Sequence, residues 1–192
     1  MITTDIRDGI ATLSIDMPDR SMNVLTPALA EALRAAFDAV VADAGVTGII
    51  IASGKRDFIA GADLGQMAAL AALPATGAMA GIAVYGDLFR RIETAGKPVV
   101  AAASGTALGG GLELMLACHY RVAADQPRAR FGLPEVTLGL LPGAGGTQRL
   151  PRLIGMAASL PLLTGGRPLS AQAALKAGIL NEVVAPGQLL TH

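Results

Sequence analysis

Two carboxylates and a set of glycine turns are the features of this 192-residue sequence that could do chemistry. Gly109-Gly110-Gly111 runs into Leu112-Glu113-Leu114, so backbone without Cβ atoms meets the positive end of a helix dipole, a place that welcomes anionic oxygen. Two readings of that segment stand side by side. It is an oxyanion-binding turn, or its glycines permit tight strand-to-helix packing and Glu113 merely complements the dipole. Ala60-Gly61-Ala62-Asp63 is a second glycine-bearing turn after a buried strand and could aim another N–H at the same point. Glu135 follows Gly132-Leu133-Pro134 and precedes Val136, Leu138 and Leu140. Burial in such company raises a carboxyl pKa and lets the group hold a proton for delivery, although a carboxylate beside Pro at a helix start also has a purely structural reading.

Other candidate motifs fail on their own chemistry. Gly143-Ala144-Gly145-Gly146-Thr147 looks like a phosphate cradle, but Gly146 occupies the place of the P-loop lysine. Gln148 stands where a dinucleotide fingerprint needs its third glycine, which leaves local packing or ligand positioning. Cys118 and His119 are adjacent and have no evident third partner, so a core thiol and a strand-edge histidine are expected rather than a nucleophilic pair. His119 and His192 are too sparse, and Asp57 and Asp63 too irregularly placed, for a metal site, and no metal is expected.

The elements that must position these residues read as alternating α and β structure. Ala11, Leu13 and Ile15 alternate with Thr12 and Ser14 as in a half-buried strand. Thr26 offers an N-cap and Pro27 an N1 residue to a helix in which Leu29, Leu33, Phe37 and Val40 recur at helical spacing. Gly48 to Ala52 and Pro98 to Ala103 are continuous apolar runs suited to strands buried on both faces, and a helix between such strands implies parallel pairing. Leu64 to Gly81, Ala- and Gly-rich and containing Pro74, predicts loop and short helix that could cover a pocket. Helices are predicted through Ile82 to Ile92, Leu112 to Cys118, Thr147 to Leu153 and Met156 to Leu163. A short strand is expected at Tyr120 to Ala124, then a helix capped by Ser170, closed by Gly178 and followed by a strand from Ile179 to Val184.

Composition bounds the function. Hydrophobic residues make up 52% and charged residues 16%, which excludes disorder and leaves an apolar surplus for a subunit interface. Fifteen basic and fifteen acidic residues cancel, so neither nucleic acid nor an anionic membrane surface is an expected partner. The N-terminus lacks a signal-peptide pattern and no apolar run approaches the ~18 residues of a membrane span, so a cytoplasmic protein without membrane insertion is expected. One α/β domain covering residues 1–192 is the organisation this implies.

Taken in order, the motifs resemble the crotonase (enoyl-CoA hydratase/isomerase) superfamily over nearly the whole chain. The resemblance rests on Phe58-Ile59-Ala60-Gly61-Ala62-Asp63-Leu64, on Gly105 through Leu114, and on Phe131-Gly132-Leu133-Pro134-Glu135 leading into Leu141 through Leu150. Leu116 to Val122 and Gly139 to Pro142 look most like the hydratase part of multifunctional fatty-acid oxidation proteins. The resemblance implies a ClpP/crotonase-like spiral of ββα turns and hydration of trans-2-enoyl-CoA. It implies that the N–H groups of Ala62 and Gly110 form an oxyanion hole, that Glu113 and Glu135 hold a water over the double bond, and that Gly143 helps place it. Glu135, the carboxyl with apolar neighbours, is the expected proton donor and Glu113 the water-activating partner. Ala60, Asp63, Leu108, Gly109 and Pro134 are expected to touch the acyl-CoA. Lys55 and Arg56 are the candidates for its phosphates, because Gly65 stands where many hydratases carry a basic residue.

The same resemblance implies no cofactor in this domain. Coenzyme A is part of the substrate, and NAD would enter only with a dehydrogenase domain downstream. A homotrimer or a larger multifunctional complex is the expected assembly. The sequence stops at Gly187 to His192, where a family helix would start, so the C-terminal helices that complete the acyl pocket are expected to be absent. Enoyl-CoA isomerisation, or a non-catalytic acyl-CoA-binding or assembly role, are the alternatives to hydration.

Overall fold

The first two strands are joined by the tightest turn the chain can make. Asp8 and Gly9 both adopt positive φ, 49° and 79°, the geometry that matches the right-handed twist of a hairpin. They join β1 (Ile2–Arg7) antiparallel to β2 (Ile10–Ile15). β1 is exposed along nearly all of its length and carries no alternation of buried apolar and exposed polar residues, so its sequence signal is the Asp8-Gly9 turn. The computed structural model describes residues 1–190, and His192 lies outside the described residues.

Each later turn of the chain repeats one pattern: a buried strand, a short extended segment, then a helix. Thr26 caps α1 (Pro27–Ala42), its hydroxyl accepting the Leu29 N–H, and Leu29, Leu33, Phe37 and Val40 face the core as their spacing predicts. The chain continues through β3 (Gly48–Ser53), α2 (Leu64–Ala71), α3 (Ala75–Glu93), β4 (Val99–Ala103), β5 (Ala107–Leu108), α4 (Gly110–Ala117), β6 (Tyr120–Ala124) and β7 (Phe131–Gly132). A 3₁₀ turn at Pro134–Leu138 is followed by α5 (Gly146–Ile154), α6 (Met156–Gly165), α7 (Ala171–Lys176) and β8 (Glu182–Val184).

The main sheet has the order β1-β2-β3-β4-β6-β8, parallel beyond the first hairpin. Beside it the short segments form a second row. Leu25 bridges Ala62, Ile59 bridges Ala107, β5 pairs with β7, and Phe131 bridges Leu169. The rows coil together as a spiral because each strand of the main sheet hands the chain to its partner segment before a helix returns it.

Asn23 ties three turns of that spiral together. Its side-chain oxygen accepts the Met17 N–H, and its amide donates to the Ile15 and Phe58 carbonyls and to the Ser53 hydroxyl, all at 3.0 to 3.2 Å. The residue is fully buried, where unpaired backbone groups are costly.

Two sequence expectations change. Leu64 to Gly81 is not loop with a short helix, because Asp63 caps α2 by accepting the Gly65 and Gln66 N–H groups, and Pro74 sits at the N-cap of α3 rather than inside it. The strand expected from Ile179 starts only at Glu182. The N–H groups of Ile179 and Leu180 instead close the end of α7 on the Ala174 carbonyl.

Replacing Asn23 by Ala strips partners from one buried N–H and two buried carbonyls. The expected loss is about 3 kcal/mol of stability, read as a lowered midpoint in urea unfolding. An unchanged midpoint would show that the network carries no weight.

Candidate active site

The two glycine turns and both carboxylates meet at one cavity of about 430 Å³. Gly109 is the pivot. Its φ of 51° and ψ of −126° are open to glycine alone. A methyl group there would lie 3.0 Å from Glu135 Oε1 and 3.7 Å from the Gly61 Cα. Gly111 answers the packing reading of the same run, since a Cβ on it would fall 2.4 Å from the Ile59 carbonyl oxygen. The triplet therefore serves both ends: Gly111 lets α4 approach the second row of strands, and Gly109 turns the chain so that α4 begins at the cavity.

Gly110 is the first residue of α4, where the N–H has no partner within the helix. Ala62 is bridged to Leu25 through its neighbours, with the Leu25 N–H bonded to the Gly61 carbonyl and the Asp63 N–H to the Leu25 carbonyl. Its own N–H is turned away from that pairing. Neither the Ala62 nor the Gly110 N–H has an acceptor among the described residues, and both residues line the cavity.

Glu113 is 3% exposed. Its Oε1 accepts two backbone hydrogen bonds, from Ala144 at 2.8 Å and from Gly146 at 2.7 Å. Burial pushes its pKa up to about 7, the Glu135 charge adds to that, and the two N–H groups and Arg149 pull the other way. Glu135 sits in the 3₁₀ turn, half-buried, and burial raises its pKa as well against a hydrogen bond from its own N–H. Its Oε2 is buried without a hydrogen-bond partner among the described residues. Glu113 is thus the deeper carboxyl, although Glu135 has the more apolar neighbours in the sequence.

Ala60, Ala62, Asp63, Leu108, Gly109, Gly110, Pro134 and Gly143, all singled out from the sequence, line this cavity with the two glutamates. Lys55 and Arg56 do not line it. Lys55 pairs with Asp16 at 2.7 Å and Arg56 with Asp57 at 3.0 Å. Asp63 pairs with Arg20 at 2.8 Å. The α2 and α3 helices supply an apolar wall, with Met67, Leu70, Ala78, Ile82 and Tyr85 facing the cavity.

Sequence reasoning missed the donors to Glu113. Their signal was the Gly143 to Gly146 run, which shows its use only when it lies against Glu113. Cys118 is buried with its thiol pushed up to about 12 by desolvation, as suits a core thiol, and His119 Nδ1 accepts the Val99 N–H at the strand edge. Among the described residues no group of three or more His, Cys, Asp or Glu could hold a metal ion.

A spiral of ββα turns coiled from two rows of strands defines a crotonase-type fold, and its cavity is lined by the two glycine turns and the two carboxyls. The chain belongs to the enoyl-CoA hydratase/isomerase family, whose model matches residues 5–192. Fatty acid oxidation complex subunit alpha of Shewanella loihica is 46% identical over 184 residues, covering 95% of this chain and 26% of that protein. The subunit of the same name from Idiomarina loihiensis is 45% identical over 192 residues, covering 98% and 27%. The chain therefore spans about a quarter of the length of the curated relatives it matches. Among solved structures, an enoyl-CoA hydratase from Bacillus anthracis is 36% identical with a TM-score of 0.90, covering 99% of this chain and 72% of that one. An enoyl-CoA hydratase from Polaromonas is 30% identical with a TM-score of 0.90, covering 99% and 73%.

The raised pKa of Glu113 has a consequence for stability. Its carboxyl titrates near 4.5 when unfolded and near 7 when folded, so the folded state binds the proton more tightly. The favourable contribution is complete below about pH 4.5 and is lost as the pH rises through 7, a span worth roughly 3 kcal/mol. Glu113→Gln keeps an oxygen for both N–H donors without that ionisation. Between pH 4.5 and 8 its urea-unfolding stability should gain on the parent by about that amount. A difference that stays flat with pH would show that Glu113 is not displaced upward.

Proposed function

We propose that this chain hydrates trans-2-enoyl-CoA thioesters to 3-hydroxyacyl-CoA, as the hydratase part of a fatty-acid oxidation protein. The observation that carries the reading is the pair Glu113 and Glu135 on one cavity with the two unpaired N–H groups of Ala62 and Gly110. The thioester carbonyl binds between those N–H groups. A water held by both carboxyls then attacks the β-carbon, and its proton passes to Glu113. The π electrons move onto the thioester oxygen, where preorganised donors lower the barrier by about 3 kcal/mol each. Collapse of the enolate takes a proton from Glu135 at the α-carbon, and the reverse reaction exchanges those duties.

Hydrogen bonding supports this division of labour. A general base works best with a pKa near the working pH, and Glu113 at about 7 is such a group, its anion received by two fixed N–H donors. Glu135 has no donor other than its own N–H for its anion. Two like charges on one cavity repel, so the pair favours holding a single proton, and in the reacting form that proton is the one on Glu135. Proton transfer between carboxyls and a thioester needs no further cofactor, and coenzyme A enters as part of the substrate. The apolar wall of α2 and α3 suits an acyl chain.

The named relatives are subunits of a fatty acid oxidation complex, which favours a cytoplasmic bacterial setting and a larger assembly. No described helix is long and apolar enough to cross a membrane.

Loss of crotonyl-CoA absorbance in the ultraviolet tests the reading. Glu113→Gln and Glu135→Gln should each lower kcat by about 100-fold or more. Full activity in either variant would remove it from its assigned role, and tight binding of enoyl-CoA by the parent protein without turnover would replace catalysis by a binding function. A 3-enoyl-CoA substrate assayed in parallel measures any isomerase side activity.

A further inference from the structure

Three consecutive peptides of the loop before α5 are used in alternation. The 143–144 peptide donates the Ala144 N–H to Glu113, the 144–145 peptide offers its carbonyl to Arg149, and the 145–146 peptide donates the Gly146 N–H to Glu113. The middle peptide decides the other two, because rotating it would swing both N–H groups off the carboxylate. Arg149 Nη1 holds that carbonyl at 2.9 Å, and Nη2 reaches Glu93 at the end of α3 at 3.3 Å. The Arg149 side chain is 14% exposed, and its Nε is buried without a hydrogen-bond partner among the described residues. It packs so closely on the loop that a Cβ on Gly145 would lie 2.3 Å from Nη1. An unpartnered buried guanidinium nitrogen is costly, and the contacts that hold Arg149 in place are those to the Ala144 carbonyl and Glu93.

We propose that Arg149 is the positioning residue of the catalytic base: it locks the Ala144 to Gly146 donors onto Glu113 and, balanced by Glu93, sets the charge that Glu113 experiences. The proposal rests on Glu113 being that base. Arg149 acts through the loop and through its field, and is not among the residues that line the cavity. Glu93 makes the balance adjustable, because hydrogen bonds from Arg90 and Arg149 hold it below the usual carboxylate range against the effect of its partial burial.

The other charged and titratable groups around Glu113 are few. Glu135 faces it from the 3₁₀ turn, and Tyr85 of α3 and Asp63 at the start of α2 share the cavity. Arg121 of β6 lies under the far end of α4 and spends its guanidinium on the Cys118 and Ile179 carbonyls. β5 contributes only Ala107 and Leu108. Arg149 is therefore the cation whose removal changes the field at Glu113, and burial, the largest influence on that carboxyl, then acts with less opposition.

The test compares Arg149→Met, Arg149→Lys and Glu93→Gln in the full-length protein, by pH profiles of crotonyl-CoA hydration and by infrared titration of the Glu113 carboxyl band, assigned through its loss in Glu113→Gln. Arg149→Met is expected to lose about 100-fold in kcat with a much smaller change in KM, and to move the Glu113 titration and the acid limb to higher pH. Arg149→Lys should return the titration toward the parent while kcat stays low, since the ammonium restores charge but not the planar fork. Glu93→Gln should move the titration the opposite way, to lower pH, by leaving the Arg149 charge uncompensated. Variants that lose only thermal stability, with kcat and titration unchanged, would overturn the proposal. If Arg149→Met does not fold, an unmoved titration in Glu93→Gln overturns it equally. If the parent turns over no enoyl-CoA, the hydratase reading fails on its own, and the infrared titration still shows whether Arg149 controls Glu113.

Discussion

Everything at this site depends on keeping one carboxylate, Glu113, in the interior. An ionised carboxyl taken out of water without compensation costs several kcal/mol, and the chain offsets part of that cost with two short N–H bonds to a single oxygen. Those bonds dictate the local backbone. Gly145 turns at a φ of 104°, and Gly146 leaves little room for a side chain, since a Cβ there would sit 2.9 Å from Leu133 Cδ1, 3.0 Å from Pro142 Cβ and 3.1 Å from Glu113 Cγ. The Gly143 to Gly146 run therefore cradles a carboxylate of the protein itself. Its likeness to a phosphate loop is chemical, since both use convergent N–H groups to hold oxygen anions, and the anion here is built in.

The second constraint is that two N–H groups must stay without internal partners. Backbone donors are almost always paired when buried, so the fold needs a place where pairing stops. The second row of strands supplies it. β5 and β7 are two residues long, and the Leu25 and Ala62 pairing is a single bridge. Pairing ends there at glycines that turn the backbone out of register, at Gly61 with φ of 101° and at Gly109 with φ of 51°. The main sheet, whose central strands β3, β4 and β6 are paired on both sides and largely buried, gives these loose ends a fixed frame. Asn23 couples the frames directly, bonding to Ile15 at the end of β2, to Ser53 at the end of β3 and to Phe58 entering the second row.

Legibility in the sequence follows the same division. The elements of the main sheet read clearly because burial on one or both faces imposes a pattern, as in Gly48 to Ala52 and the Leu29 to Val40 face of α1. The exposed β1 imposes none, and its evidence was confined to Asp8-Gly9. The Leu64 to Gly81 stretch, which holds α2 and the first turns of α3, was less legible for another reason. Residues such as Leu64, Met67 and Leu70 face a cavity rather than a packed core, and Met79 is an exposed apolar residue that does not line it, so the apolar stripe that marks an amphipathic helix is blurred. Within the site, Glu113, Glu135 and their glycine turns could be named from local signals and from their shared order. The contact between Glu113 and the loop 31 to 33 residues later could not, because hydrogen bonds from backbone N–H groups leave almost no trace in residue type.

The two glutamates also show why apolar neighbours in sequence are a poor guide to which carboxyl is the more perturbed. Val136 is half-buried, and Leu138 and Leu140 are exposed residues that line the cavity, so they leave Glu135 only half-buried. Glu113 lies inside α4, every residue of which is buried, and desolvation acts on it more strongly. Depth alone would then have made Glu113 the permanently protonated partner. The fixed N–H donors and the Arg149 cation work against depth and bring it back to about 7, where a carboxyl can both take and return a proton. A reversible addition of water asks for that balance, and here it is set by backbone geometry rather than by the identity of the acid.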